Sequence, residues 1–128
     1  MAAIKALWTV NAAKDGTPFA AEVRATAYMT PSYAAEIKDN PPLAAPGAQW
    51  QLWVDHHVVT NVKVVREYDA GGPVSTSSTA YLQYGVTVLP HGAHGWKGLD
   101  NTYTQFVELT RASSSAPWLV ATMETSLG

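Results

Sequence analysis

The stretch "TAYLQYGVTVL", residues 79–89, decides the fold because apolar side chains recur in it at every second position. Such alternation is typical of a β-strand that buries one face. The polar positions Gln83 and Thr87 indicate that the other face is directed outward. The predicted buried set is even-numbered: Ala80, Leu82, Tyr84, Val86 and Val88.

Three further stretches predict strands, so the sheet has four. They are "VVTNVKVVREY" at 58–68, "YTQFVEL" at 103–109 and "PWLVATMET" at 117–125. The connectors between the strands are rich in Gly, Pro, Ser or Asn, and none is long enough to hold a crossover helix. Neighbouring strands must therefore run antiparallel, which predicts a meander over residues 58–125.

The first forty residues carry helix signals instead. Three apolar residues at positions i, i+3 and i+4 predict a first helix that ends near residues 14–16: Ile4, Leu7 and Trp8. The pairs Thr17-Pro18 and Thr30-Pro31 predict two more helix starts. Threonine can cap a free backbone N–H, and proline in the first turn lacks an N–H that would be unpaired there.

Together these patterns predict one α+β domain over residues 1–128. Its helices, in residues 1–40, cover the apolar face of a curved four-stranded antiparallel sheet, and residues 41–57 are a connecting segment. Charged residues make up only 14% of the chain and the net charge is −2, which argues against a nucleic-acid partner. The absence of cysteine excludes disulfides and thiol nucleophiles. We expect no cofactor and no metal.

The order of these elements resembles the cone-shaped fold of nuclear transport factor two. Within that superfamily, three stretches resemble extracytoplasmic domains of actinobacterial membrane-anchored proteins: "YMTPSYAAEI" at 28–37, "QWQLWVDH" at 49–56 and the terminal "PWLVATMET". Those proteins are related to conjugation and type IV secretion assembly factors and to accessory proteins of lipid-importing envelope complexes. The resemblance implies an N-terminal transmembrane anchor, which this chain lacks, and a location in the cell envelope.

Two histidine-containing stretches invite a chemical interpretation. In "WVDHHVV", Asp55 and His56 could act at the mouth of the cone, because isomerase and dehydratase members of the superfamily use an Asp or His there as general base. His56 and His57 would point to opposite faces if they lay on a strand. The pair His91 and His94 has metal-ligand spacing, but a flexible glycine-rich loop with too few ligands explains it better.

Five tryptophans and six tyrosines are the remaining candidates. The resemblance implies that Trp50 and Trp53 precede the first long strand and that Trp118 packs back on the helices. Trp96, in the glycine-bounded "HGWKG", is either an exposed interface contact or folded back on the sheet. We expect the indole and phenol rings to fill the concave face of the sheet.

Our leading hypothesis is a non-enzymatic extracytoplasmic domain that binds protein partners in an envelope assembly, as a dimer or trimer. Its candidate binding residues are Trp96, Trp50, Trp53, Asp55 and His56. The alternative is a small-molecule-binding or isomerase-like enzyme that uses the cone. In that case Asp55 or His56 would lie near the mouth, and Tyr28 or Tyr84 would donate hydrogen bonds.

Overall fold

The structure is a computed structural model that describes residues 1–68 and 71–127. It has a four-stranded antiparallel sheet in the order β1-β2-β3-β4, which confirms the predicted meander. The strands are β1 (Val59–Glu67), β2 (Thr79–His91), β3 (Asn101–Thr110) and β4 (Leu119–Leu127). The helices are α1 (Ala2–Trp8), α2 (Phe19–Ala25), α3 (Pro31–Asp39) and α4 (Ala48–Asp55).

The helices cover the face of the sheet that the alternation predicted to be apolar. Val86 and Val88 of β2 are buried, as are Val107 and Leu109 of β3. They form one core cluster with residues of α1, α2 and β4 and with one residue between α2 and α3: Ala3, Ile4, Ala25, Met29 and Val120. The α+β architecture expected from the sequence is therefore confirmed.

A β-bulge in β4 keeps this core continuous. Val120 pairs with Leu109, but Met123 pairs with Val107, so one extra residue of β4 is accommodated near Glu108. Residues 120 and 123 are an odd number apart and would otherwise point to opposite faces. The bulge allows both side chains to face the helices.

The two Thr-Pro sequences predict two helix starts, and the structure has a helix after each of them, α2 and α3. Only the second start has the expected cap. Thr30 Oγ1 accepts a hydrogen bond from the backbone N–H of Tyr33 at 3.3 Å, and Pro31 is the first helical residue of α3. Thr17 makes no such cap, because α2 begins one residue later and Pro18 occupies its N-terminal boundary. A 3-10 turn over Thr26–Tyr28 separates the two helices.

The first helix is shorter than predicted and ends at Trp8. Thr9 is extended, and the next residues pair with the start of β1. The N–H of Val10 donates to Thr60 Oγ1 at 2.8 Å, and the N–H of Ala12 donates to the carbonyl of Val58 at 2.8 Å. Val10 and Ala12 lie in this extended segment and are buried there. Their burial favours the extended conformation over a longer helix.

The predicted connecting segment, residues 41–57, contains α4, and this corrects the sequence interpretation. Gly47 precedes the helix with φ +90 and ψ −170, a conformation that side-chain-bearing residues rarely adopt. This glycine turns the chain out of the proline-containing stretch 41–46. Helix α4 then places Trp50, which is buried, in a second core cluster with four other residues: Val10, Ala12, Ala21 and Val58.

Candidate functional site

A cavity of about 780 Å³ lies between the helices and the concave face of the sheet. Its walls come from α1, α2 and α4, from the stretch 41–46 and from β2, β3 and β4. Aromatic side chains dominate the lining: Trp8, Phe19, Trp50, Trp53 and Tyr103. The expectation that these rings fill the concave face is therefore wrong. They line an open space of the size that small-molecule sites usually have.

The rings do not fill the cavity because other contacts hold them against its walls. Trp8 stacks on Tyr103 with 4.5 Å between the ring centroids and 13° between the ring planes. Trp50 and Trp53 lie on α4 with centroids 6.4 Å apart and tilted by 50°. Each pair is packed within its own wall, so the space between the two walls stays open.

A buried glutamine fixes the position of Trp8. Gln105 of β3 is 1% exposed, and its Oε1 accepts a hydrogen bond from Trp8 Nε1–H at 3.2 Å. The same oxygen accepts a hydrogen bond from Thr125 Oγ1 at 3.1 Å. Gln105 Nε2 donates to the backbone carbonyl of Glu124 at 3.2 Å. This network ties α1 to β3 and β4 behind the cavity, and nothing in the sequence pattern indicated it.

One carboxylate lies in the cavity wall. Glu22 of α2 is half-buried, and removal from water raises the pKa of its carboxyl above the ordinary value. Among the described residues its side chain has no hydrogen-bond or ion-pair partner. The neighbouring cation, Arg24, is occupied elsewhere: its guanidinium holds Asp15 at 2.7 and 2.9 Å. Arg24 thereby lowers the pKa of Asp15 and leaves Glu22 uncompensated.

The residues predicted to bind are divided between two places. Trp50 and Trp53 line the cavity, but Asp55 and His56 do not. Asp55 is exposed at the end of α4 and accepts a hydrogen bond from Gln51 Nε2 at 2.9 Å. Tyr28 and Tyr84, proposed as donors in the enzyme alternative, also lie outside the cavity lining.

His56 and Trp96 form a separate contact. Their rings stack with centroids 4.5 Å apart and planes 13° from parallel, and Trp96 packs against the second core cluster. Of the two predicted positions of Trp96, the structure shows the one folded back. Gly92 enables this packing, because a Cβ there would collide with the carbonyl of His56. A binding role for Trp96 stays a prediction.

The other histidines and Trp118 lie outside the cavity lining. His57 lies just after α4 with a positive φ of 53° and is not on a strand, so the opposite-face argument does not apply to it. His91 closes β2, whereas His94 is exposed in the loop that follows. Trp118 is 37% exposed, and the Arg111 guanidinium lies 4.4 Å from its ring centroid, so it faces an arginine instead of the helices.

The outer face of the sheet is the second candidate surface. We define it by six side chains, which come from odd-numbered positions of β1 and β2 and from even-numbered positions of β3 and β4: Val65, Glu67, Tyr81, Phe106, Glu108 and Glu124. Cross-strand pairing places Gln83 opposite Phe106, and Phe106 opposite Glu124. Val65 is 64% exposed and Phe106 is 41% exposed. Exposed apolar side chains between carboxylates are suited to a partner that is both apolar and basic.

The described ranges contain neither a cluster of metal ligands nor a helix suited to cross a membrane. In residues 1–68 and 71–127, no group of three His, Asp or Glu side chains could hold a metal ion. In the same residues, no helix is both long and apolar enough to cross a membrane.

Comparison with solved structures gives one informative likeness. The chain is similar to an IcmL-like type IV secretion system protein from Legionella pneumophila, with a TM-score of 0.59 and 10% sequence identity. The likeness covers 99% of this chain and 86% of the other. No protein-family model matches the sequence, and no curated protein matches it. At this identity the likeness shows a shared fold.

Proposed function

We propose that this chain is a non-enzymatic assembly domain of a cell-envelope machine of the type IV secretion kind, held outside the cytoplasm by a membrane anchor. The observation that carries the proposal is the fold likeness to an IcmL-like secretion protein over nearly the whole chain. The resemblance of three sequence stretches to conjugation-related extracytoplasmic domains supports the same assignment. Neither observation depends on a catalytic residue.

The outer face of the sheet is the surface that we assign to the partner. Phe106 and Tyr81 expose apolar area on regular strands; Phe106 is paired with Gln83 on one side and Glu124 on the other, and Tyr81 is paired with Glu108 of β3. Glu67, Glu108 and Glu124 line the same groove as these rings, and among its described lining residues they outnumber the single cation, Arg66. A partner segment with apolar side chains and Lys or Arg would complement this pattern, because charge complementarity guides association and apolar contact stabilises the complex.

Site-specific photo-crosslinking tests this assignment. A photoreactive phenylalanine analogue replaces Phe106 in the full-length protein expressed in its native cells, and an identical probe at the exposed Ala35 of α3 serves as the control. We expect the probe at 106 to capture a component of an envelope assembly, and the probe at 35 to capture none. Equal products from both positions, or capture of unrelated cytoplasmic enzymes alone, would contradict the proposal.

The cavity favours a second candidate, a domain that binds a small molecule. Its volume and its aromatic lining fit that function. Among the described residues that line it, Glu22 is the only carboxylate, and none is a histidine, lysine or arginine. Asp55 and His56 lie elsewhere, so the proposed general-base chemistry lacks the residues on which it was based. Binding without catalysis is the form of this candidate that we retain.

A further inference from the structure

The cavity combines aromatic walls with a single unpaired acid. Five aromatic side chains line it, and Glu22 adds a carboxylate that has no cationic partner in the described part of the chain. Aromatic rings attract cations through the negative charge of their faces, and the attraction strengthens where water is excluded. A carboxylate beside such rings adds a direct charge interaction. The combination is therefore complementary to positive charge on an apolar body.

Glu22 is not explained by the packing of the fold. A half-buried carboxylate with no partner is energetically unfavourable, since removal from water disfavours its charged form. The N-terminal turn of α2 compensates part of this cost through its backbone dipole. A bound cation would compensate the rest. Arg24 cannot do so, because its guanidinium is held by Asp15.

The remaining lining residues contribute shape and neutral polarity. Pro41, Pro42 and Pro46 form part of the lining and have little conformational freedom of their own. Thr17, Gln49 and Asn101 add neutral polar groups. An anion would meet the carboxylate of Glu22 without any positive side chain to offset the repulsion. A purely apolar ligand would leave that carboxylate dehydrated and unpaired.

We infer that this cavity binds a small organic cation, an alkylammonium or quaternary ammonium compound with apolar substituents, which places its charge between Glu22 and the aromatic walls. The inference rests on the second candidate function, small-molecule binding, and names its ligand class. It does not depend on the outer face of the sheet or on any protein partner.

Calorimetric titration of the purified chain tests the inference with a matched pair of probes. The first is choline, and the second is its uncharged isostere, in which a tert-butyl group replaces the trimethylammonium group. Benzyltrimethylammonium is a larger cationic probe that reaches more of the aromatic lining. We expect both cations to bind and the neutral isostere to bind about 2- to 30-fold more weakly, since cation–π attraction is worth ~0.5–2 kcal/mol.

Two substitutions assign the effect to the cavity. Glu22→Gln keeps the size of the side chain and removes its charge, and we expect it to weaken cation binding by about tenfold or more while leaving the isostere unaffected. Glu36→Gln makes the same chemical change at an exposed position of α3, outside the cavity lining, and should leave both affinities unchanged. Circular dichroism of each variant confirms that the fold is retained.

The possible failures are distinguishable. If choline and its isostere bind Glu22→Gln and the natural chain equally, the cavity binds small molecules but does not select positive charge, and only the present inference is refuted. If none of the three probes binds, small-molecule binding at the cavity is refuted as well. If a cation binds with unchanged affinity to Glu22→Gln and with lower affinity to Glu36→Gln, the site lies on α3 and the assignment to the cavity is wrong.

Discussion

Replacement of Gln105 by leucine should destabilise the fold more than any other change of one polar side chain discussed above. Gln105 is 1% exposed and takes part in three hydrogen bonds, with Trp8, Thr125 and the backbone of Glu124. Leucine has a similar volume and can pack in the same space. The indole N–H of Trp8 and the carbonyl of Glu124 would lose their partners in a part-buried environment. Each unpaired buried group costs ~1–3 kcal/mol.

Thr125 is exposed and can bond to water instead, so we count only the other two groups. Leucine regains part of the loss through apolar burial, and the expected net loss of unfolding free energy is about 2–4 kcal/mol. For a domain of this size, that loss lowers the melting temperature by roughly 6–20 °C. Urea denaturation followed by far-ultraviolet circular dichroism measures it directly.

A matched control separates the network from a general effect of the substitution. Gln83→Leu makes the same change on β2, where the side chain is half-exposed and its amide donates to Glu67 Oε1 at 3.3 Å. We expect that variant to lose less than about 1 kcal/mol. In a double-mutant cycle, Trp8→Phe with Gln105→Leu should show a coupling energy of ~1 kcal/mol. If Gln105→Leu is as stable as the natural chain, the network contributes nothing and the reasoning is refuted.

Two further predictions concern Trp96 and Glu22. Trp96→Ala should lower the free energy of unfolding by about 1–2 kcal/mol, because the half-buried indole packs on His56 and on the second core cluster. An unchanged melting temperature would refute this contribution of Trp96 to stability. Because burial raises the pKa of Glu22, the folded chain loses stability as pH rises from below the ordinary carboxyl range through the raised value. Glu22→Gln should therefore be slightly more stable than the natural chain at neutral pH, by less than about 0.5 kcal/mol, and equally stable near ~pH 4. A pH series of thermal melts measures this difference. If the gain in stability persists at low pH, the charge of Glu22 is not its cause.

The sequence predicted the sheet well because strand alternation is a local property. Val86 and Val88 had to face the same side, and the short connectors left no alternative to a meander. The Thr30-Pro31 helix start was equally local, and the structure confirms its cap. The β4 bulge was missed because it depends on pairing with β3, which a single strand does not reveal.

Helix α4 was missed although its signal was present. Trp50, Trp53 and Val54 follow the i, i+3, i+4 spacing that identified α1, but the preceding prolines and Gly47 favoured a loop interpretation. Trp50 and Trp53, predicted as binding residues, lie in one wall of the cavity, and their binding role stays a prediction. For Glu22, the sequence indicates only a carboxylate shortly after a predicted helix start, where the helix dipole favours negative charge. Its place in the cavity depends on α1, α4 and β3, which are distant in sequence and meet only in the fold.

The two candidate surfaces belong to opposite faces of the same strands, and this makes them experimentally separable. Tyr103 of β3 lines the cavity, whereas Phe106, three residues later, lies on the outer face. Because side chains alternate along a strand, neither ring can reach the surface that the other occupies. Glu22→Gln should therefore affect cation binding without affecting capture of a partner at position 106. Changes at Phe106 should affect capture of a partner without affecting cation binding. If both activities were lost together in a folded variant, the two surfaces would have to be coupled through the sheet, and the assignment of one function to each face would be wrong.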